Sequence, residues 1–268
     1  NNFILVNLYC FYYKIHASLF DYAIFNYMVS IYMKKLIIGA TGSIGSAVSR
    51  NIHKNGGKTH LVGRNEEELS SLAEELDSSY TVADVLDENF CNHIINDLGE
   101  EDIDGLAFCV GSIDLKPLKL TKKSDYMQCF NLNLISATEI IRACHEKLKK
   151  NKGSIVLFST VAARKGFINH SIISSAKSAV EGLTVALAAE FAPNVRVNCI
   201  APSLSKSKMA GSMLKNEKMA ESIAKMHALK RIGEGDDFSS LVNFLLSKDS
   251  SWITGQIIGV DGGRSSVA

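Results

Sequence analysis

The chain has 268 residues, 46% hydrophobic and 21% charged, with 29 Lys and Arg against 28 Asp and Glu for a formal net charge of +1. This is a globular composition, and the length suits one large α/β domain or two small ones. Near-neutral charge argues against a nucleic-acid scaffold, whose surface is strongly basic, so no nucleic-acid partner is expected.

Residues 1–32 differ from the rest and hold 10 of the 21 aromatic residues. Lys14, Asp21 and Asn26 interrupt their apolar runs, so no span approaches the ~20 residues a membrane helix needs, and no membrane association is expected. No basic segment precedes a small-residue cleavage site, which argues against a secretory signal. "MKKLIIGATG" then reads as a natural start at Met33 followed by a strand, making 1–32 an upstream extension. A membrane-surface or partner-binding segment is the other reading.

From Met33 strands and helices alternate. "KKLIIGA" is a short apolar run ending in glycine, as a buried parallel strand ends. A helix over 44–55, the strand "KTHLVGR" and the helix "NEEELSSLAEEL" follow, the last with Asn65 as N-cap and glutamates in its first turn. "YTVAD" is the third strand, "DENFCNHIINDL" a helix and "IDGLAFCVG" the fourth strand. A long helical region is predicted over 122–150, then the strand "GSIVLFST", a helix over 171–191 and the strand "NVRVNCIAPS". Residues 205–230 and 236–247 read as helical, and "GQIIGVDGG" as the last strand. This alternation demands a parallel sheet with helices on both faces, an α/β, doubly wound Rossmann-type fold. With no repeat, linker or low-complexity tract, 33–268 reads as a single domain. Cysteines 10, 91, 109, 129, 144 and 199 include no CxxC pair. They read as reduced thiols of a cytoplasmic protein, not as a disulfide frame or metal site.

"GATGSIG" (39–45) falls between the first strand and the first helix, the context in which a glycine motif carries weight. Gly39 permits the tight turn, Gly42 unusual backbone angles, and Gly45 close helix packing. The helix N-terminus then offers free N–H groups and a positive dipole end to a phosphate. At the end of the second strand an acid would bind a ribose 2′-hydroxyl, whereas an arginine accommodates a 2′-phosphate. Here Gly63 stands in the acid's place and Arg64 follows. NADP(H) is therefore favoured and NAD(H) stays possible; a solvated loop arginine is the other reading of Arg64.

In their order and spacing these motifs resemble the short-chain dehydrogenase/reductase (SDR) family, whose members bind NAD(P) on a Rossmann-type domain. The resemblance runs from about Lys34 to Gly263. It places Gly39, Thr41, Ser43, Ile44 and Gly45 on the nucleotide, with Ser43 replacing the middle glycine. Asp84 and Val85 in "TVADVLD" match the pair at the adenine. Gly111 is kept in "FCVGS", where Cys109 and Val110 replace the usual Asn and Ala. "FNLNL" puts Asn133 at the active-site asparagine, "APSLSKSK" places Pro202 beside the nicotinamide with Ser203 for glycine, and "WITGQIIGVDGG" is similar to the C-terminal signature.

In the family a tyrosine moves a proton to or from the substrate oxygen. A lysine four residues later holds the ribose and lowers the tyrosine pKa, a serine thirteen residues earlier bonds the carbonyl, and the asparagine holds a relay water. The resemblance carries Lys177 and Asn133 across, and puts Thr160 at the serine; Thr160 keeps the hydroxyl or is a strand-end threonine without a role. The tyrosine position is Ile173. After Met33 the only tyrosines are Tyr80 and Tyr126, neither near this helix in sequence. Two groups are candidates for the lost phenol. His170 is one, or else a solvated loop histidine; Lys177 acting through water is the other. Alternatively the substrate needs no protein acid. The loss would cost an ordinary ketone reduction on the order of 10²–10⁴ in rate.

The substrate side is expected over 203–230, where Met209, Met213, Met219 and Met226 offer an adaptable apolar wall. Six lysines there suit an anionic carrier such as CoA or acyl carrier protein, or are simply solvated. The expected partner is a small-molecule substrate. By analogy with the family, the helices at 122–150 and 171–191 would pack a homodimer or homotetramer.

Overall fold

The structure, a computed structural model, describes residues 33–267; the segment 1–32 discussed above lies outside them. Seven parallel strands form one sheet in the order β3-β2-β1-β4-β5-β6-β7. They are β1 (Lys34–Ile38), β2 (Lys58–Gly63), β3 (Ser79–Val82), β4 (Ile103–Phe108), β5 (Ser154–Phe158), β6 (Arg196–Pro202) and β7 (Ile257–Val260). The helices are α1 (Ser43–Lys54), α2 (Glu66–Glu75), α3 (Phe90–Leu98), α4 (Lys123–Phe130), α5 (Ser136–Lys150), α6 (Ser171–Phe191), α7 (Gly211–Leu214), α8 (Glu217–Lys225) and α9 (Asp236–Leu246).

Strand alternation sorts the core onto two faces. Leu36, Ile38, Leu106, Ile155 and Leu157 point to one face and pack with Ile94 of α3, Ile140 and Ile141 of α5 and Val180 of α6. Ile37, Leu61 and Val156 point to the other and pack with Val48 and Ile52 of α1, Leu69 of α2 and Phe238 and Val242 of α9. The central strands carry apolar side chains on both faces because both are covered. Local signals agree: the Asn65 side chain accepts from the Glu68 N–H at 3.0 Å, and Glu66, Glu67 and Glu68 complement the dipole of α2. Among the described residues α6 is long and apolar enough to cross a membrane, yet its inner face, Ile172, Ala176, Val180, Thr184 and Ala188, is buried, and the helix packs on β5 and β6.

Two features depart from the sequence reading. The long helix over 122–150 is broken by one π turn, Asn131–Ile135, between α4 and α5. The stretch 205–230 is not one helix: it holds the short helices α7 and α8, with irregular chain before, between and after them. Its start is a loop tied to the glycine segment, the Ser43 hydroxyl donating to the Lys206 carbonyl at 2.7 Å.

The chain leaves β1 towards β2 on one side and reaches β4 on the other. That reversal opens a crevice beyond the carboxyl ends of the strands, where ligands of such sheets bind.

Candidate active site

A cleft of about 310 Å³ lies at this crevice. It is lined by the loops after β1, β4, β5 and β6: Gly42–Ile44, Cys109–Leu115 in part, Phe158–Ala162 and Pro202–Ser207 in part, with His170, Ile173 and Lys177 from α6 and its approach.

The glycine loop is shaped by contacts no side chain would tolerate. Gly39 has φ +83°, a conformation L side chains rarely adopt. A Cβ on Gly45 would sit 2.2 Å from the Gly39 carbonyl oxygen, so α1 can approach its own loop this closely only with glycine there. Gly42 caps α1 with extended backbone and no side-chain cap bond, which leaves the first-turn N–H groups for a ligand. The Thr41 side chain lies over Gly63: a Cβ there would come within 3.3 Å of the Thr41 hydroxyl oxygen. Arg64 is exposed and pairs with Asp84 at 3.5 Å, while the same carboxylate accepts from the Leu86 N–H at 3.0 Å. Val85 is buried beside it. Thus Thr41 lies over the end of β2, and Arg64 and Asp84 pair at the adjoining β2–β3 end.

Across the crevice, Lys177 is 6% exposed and donates to the Phe158 carbonyl at 2.8 Å. Burial lowers its pKa from the usual lysine value to about 8, against the smaller opposing effect of nearby thiols. Asn133 sits in the π turn, 1% exposed, its amide donating to the Cys129 carbonyl at 2.9 Å. Its Oδ1 is buried without a donor among the described residues. Such orphans are costly unless a ligand or water completes them. A Cβ on Gly111 would lie 3.3 Å from that Oδ1 and 3.4 Å from Lys177 Nζ. Gly111 therefore keeps open a small space onto which the acceptor and the ammonium both look. The buried orphan, the side-chain-free cradle and the uncapped α1 fit a dinucleotide laid from Arg64 to Lys177.

Thr160 follows β5 by two residues and lines the cleft, and its hydroxyl oxygen accepts from the Ala162 N–H at 3.3 Å, leaving the hydroxyl proton for a substrate oxygen. The adjacent Ser159 hydroxyl is occupied, donating to Glu181 at 2.8 Å. Of the two hydroxyls, Thr160 is the available one. Ile173 lines the cleft at 5% exposure and packs with Cys129, Ile172 and Ala176. Tyr126 packs behind that cluster and donates to the Ser171 hydroxyl at 3.1 Å; it does not line the cleft. His170, by contrast, does line it. Its Nδ1 lies 2.7 Å from the Ile168 carbonyl, which makes Nδ1 the protonated nitrogen of the neutral ring and leaves Nε2 as an acceptor. His170 stays partly exposed in the turn before α6, so it borders the cleft while remaining open to solvent. Phe167 and Arg264 also line the cleft, and the sequence reading passed over both. No local motif marks them: each is a single residue in a loop, brought in by the fold.

The enoyl-(acyl carrier protein) reductase family model matches residues 39–265. A tropinone reductase homologue of Arabidopsis thaliana is 34% identical over 241 residues, covering 85% of this chain and 90% of its own. The chain belongs to the short-chain dehydrogenase/reductase family. A 3-oxoacyl-[acyl-carrier-protein] reductase of Rickettsia bellii is 31% identical over 233 residues, covering 85% of this chain and 95% of its own. The solved structure of ElxO with NADP bound overlays at a TM-score of 0.80 with 28% identity, covering 88% of this chain and 99% of that one. As an SDR, the chain puts isoleucine where the resemblance expects the phenol, within an otherwise ordered cleft.

Proposed function

We propose that this SDR is an NADP(H)-preferring oxidoreductase that moves hydride to or from a carbonyl, hydroxyl or activated-alkene carbon without a phenolic acid. The observation that carries this reading is the cleft joining the glycine loop to Lys177 and Thr160, with Ile173 as its apolar wall and the buried Asn133 Oδ1 just behind Gly111. When bound, the nicotinamide cofactor supplies or takes up the hydride. The α1 amides, Thr41, Ser43 and Ile44 hold its phosphates, Arg64 its 2′-phosphate, Asp84 and Val85 its adenine, and Lys177 its ribose. Gly111 and Pro202 bound the nicotinamide space. Thr160 donates to the substrate oxygen. Lys177, with a pKa near 8, supplies a proton through water held on Asn133 Oδ1. NADP bound to the similar ElxO structure supports the cofactor assignment.

A second reading, a cofactor-binding homologue with little or no turnover acting as sensor or partner subunit, is favoured by the close packing of Ile173. We also read the protein as cytoplasmic and as a homodimer or homotetramer. Met127, Ile135 and Val185, on α4, the π turn and α6, are 54%, 45% and 52% exposed, which supports helix-mediated assembly.

The test is a binding titration of NADPH and NADH followed by a carbonyl and enoyl substrate screen. NADPH is expected to bind at least about tenfold tighter than NADH. Binding without any turnover would select the sensor reading, and no binding of either nucleotide by folded protein would sink both.

A further inference from the structure

One wall of the cleft carries a cation that makes no ion pair among the described residues, with Asp261 its nearest opposing charge. Arg264 follows β7 and lies over the Phe167 ring, its guanidinium carbon 4.7 Å from the ring centroid. One guanidinium nitrogen donates to the Ser203 hydroxyl at 3.2 Å and another reaches Met226 sulfur at 3.5 Å. Ser203 is oriented from behind. His227 Nδ1 must donate to the Ile223 carbonyl at 2.9 Å, so Nε2 accepts the Ser203 proton at 2.8 Å, leaving the Ser203 oxygen to face Arg264. These contacts fix the guanidinium without neutralising it.

The acids nearby are already committed. The Asp261 carboxylate accepts from the backbone of Gly263 and Ser265 and from the Ser265 hydroxyl. Glu181 accepts from Ser159 and pairs with Arg164 at 2.7 Å. Among the described residues no Asp or Glu lines the cleft; its titratable side chains besides Cys109 are Lys177, Arg264 and His170. Ile113, Leu115, Val161, Met209 and Ile223 give this end an apolar lining interspersed with the uncharged hydroxyls of Ser112, Ser205 and Ser207. A partly desolvated guanidinium keeps several donors in a rigid fork whose geometry matches a carboxylate. Burial also disfavours its charge, Asp261 offsets only part of that, and an incoming anion would offset more.

We propose that Arg264 selects the substrate of this cleft: a small apolar molecule bearing a carboxylate, held by the guanidinium on Phe167 while its reacting carbon faces Thr160 and Lys177. The assignment rests on the oxidoreductase reading for the word substrate, but the anion site stands on the chain's own residues.

The full chain is titrated calorimetrically with hexanoate and 3-phenylpropionate and with the matching uncharged amides, with and without NADPH. The wild type is expected to prefer each acid over its amide by about tenfold to a hundredfold, the worth of a charge-assisted bond. Arg264→Gln is expected to erase that preference, and Arg264→Lys to keep part of it, since the ammonium retains charge without the fork. Equal binding of acid and amide by the wild type overturns the proposal, as does no acid binding at millimolar concentration, or a preference that survives in Arg264→Gln. A loss of NADPH affinity in Arg264→Gln matching the loss of acid affinity would make Arg264 a nucleotide ligand and overturn it too. Acid preference in a protein that fails to bind NADPH would uphold the anion site while removing the oxidoreductase reading.

Discussion

At the β1 end of the cleft, function depends on side chains that are missing. Gly45 lets α1 touch its own loop, Gly63 makes room for Thr41, and Gly111 leaves Asn133 and Lys177 a shared space. At the β5 end, the proposed chemistry depends on side chains that are present, and Ile173 stands in the wall where the resemblance expects a phenol, packed on Cys129 and Ile172. The nucleotide end is constrained by backbone geometry, which tolerates almost no substitution. The proton end is constrained by chemistry, which can be met by another donor or another substrate. This difference explains how one end can keep its pattern while the other departs from it.

The largest effect should come from restoring the missing group. Ile173→Tyr is expected to raise reduction of a simple ketone on the order of 10²–10⁴, the usual contribution of a placed general acid. Steady-state turnover of NADPH with a ketone panel reads this. No gain, with nucleotide binding intact, would mean that the proton end has diverged beyond its one substitution, sharpening the contrast in favour of the sensor reading.

The nucleotide end should break under the smallest possible addition. In Gly45→Ala the new methyl would lie 2.2 Å from a carbonyl oxygen, so the loop and α1 must part. Overpacking of this kind costs about 1–3 kcal/mol or more. Displacing the phosphate donors by ~1 Å should weaken NADPH binding on the order of a hundredfold. Gly166→Ala is the control, because nothing lies within 4 Å of its added carbon. Equal behaviour of the two variants in thermal unfolding and NADPH titration would remove the geometric account of the loop.

A smaller effect tests whether Arg64 recognises the 2′-phosphate that distinguishes NADPH from NADH. Arg64 is 73% exposed at its side chain and only loosely paired with Asp84. Arg64→Ala should lower NADPH affinity about tenfold and leave NADH affinity unchanged, an effect that shrinks as salt screens the exposed charge. Equal loss for both nucleotides would assign Arg64 to the loop rather than to a 2′-phosphate.

How much was legible follows the same division. The strands, the cap at Asn65 and the glycine loop were readable because each is a local pattern: apolar runs, an Asx cap, glycines at a strand–helix junction. Thr160, Lys177 and Asn133 were placed by spacing within a resemblance; the fold puts Thr160 and Lys177 in one cleft and Asn133 behind Gly111 at its edge. The π turn was not readable, since one extra residue per turn leaves no compositional trace. The region 205–230 misled because its methionines and lysines recur at helical spacing while its fixed points, such as the Ser43–Lys206 bond, are long-range. Arg264 and Phe167 could not be seen at all, being adjacent only in three dimensions.

Lys177 belongs to both ends, and the smallest effect tests whether it is buried as described. Its folded pKa is about 8, against about 10.4 for a free lysine. Between those values the unfolded chain holds one more proton than the fold, so stability rises with pH across that window. Below pH 8 the penalty is fully present. The buried thiols act oppositely: Cys109, Cys144 and Cys199 are pushed up to about 12, so the unfolded chain releases their protons first and stability falls above pH 9. Comparison with Lys177→Met cancels the thiols. Relative to that variant, the nucleotide-free wild type should gain about 1 kcal/mol between pH 7 and pH 9 in denaturant unfolding. NADPH should suppress the gain, because its negative charge beside the ammonium favours the protonated form and raises the folded pKa towards the unfolded one. A flat difference in the free protein would mean that Lys177 is solvated, and with it the proton route through Asn133 would fall. A gain that NADPH leaves untouched would keep the buried lysine and detach it from the nucleotide.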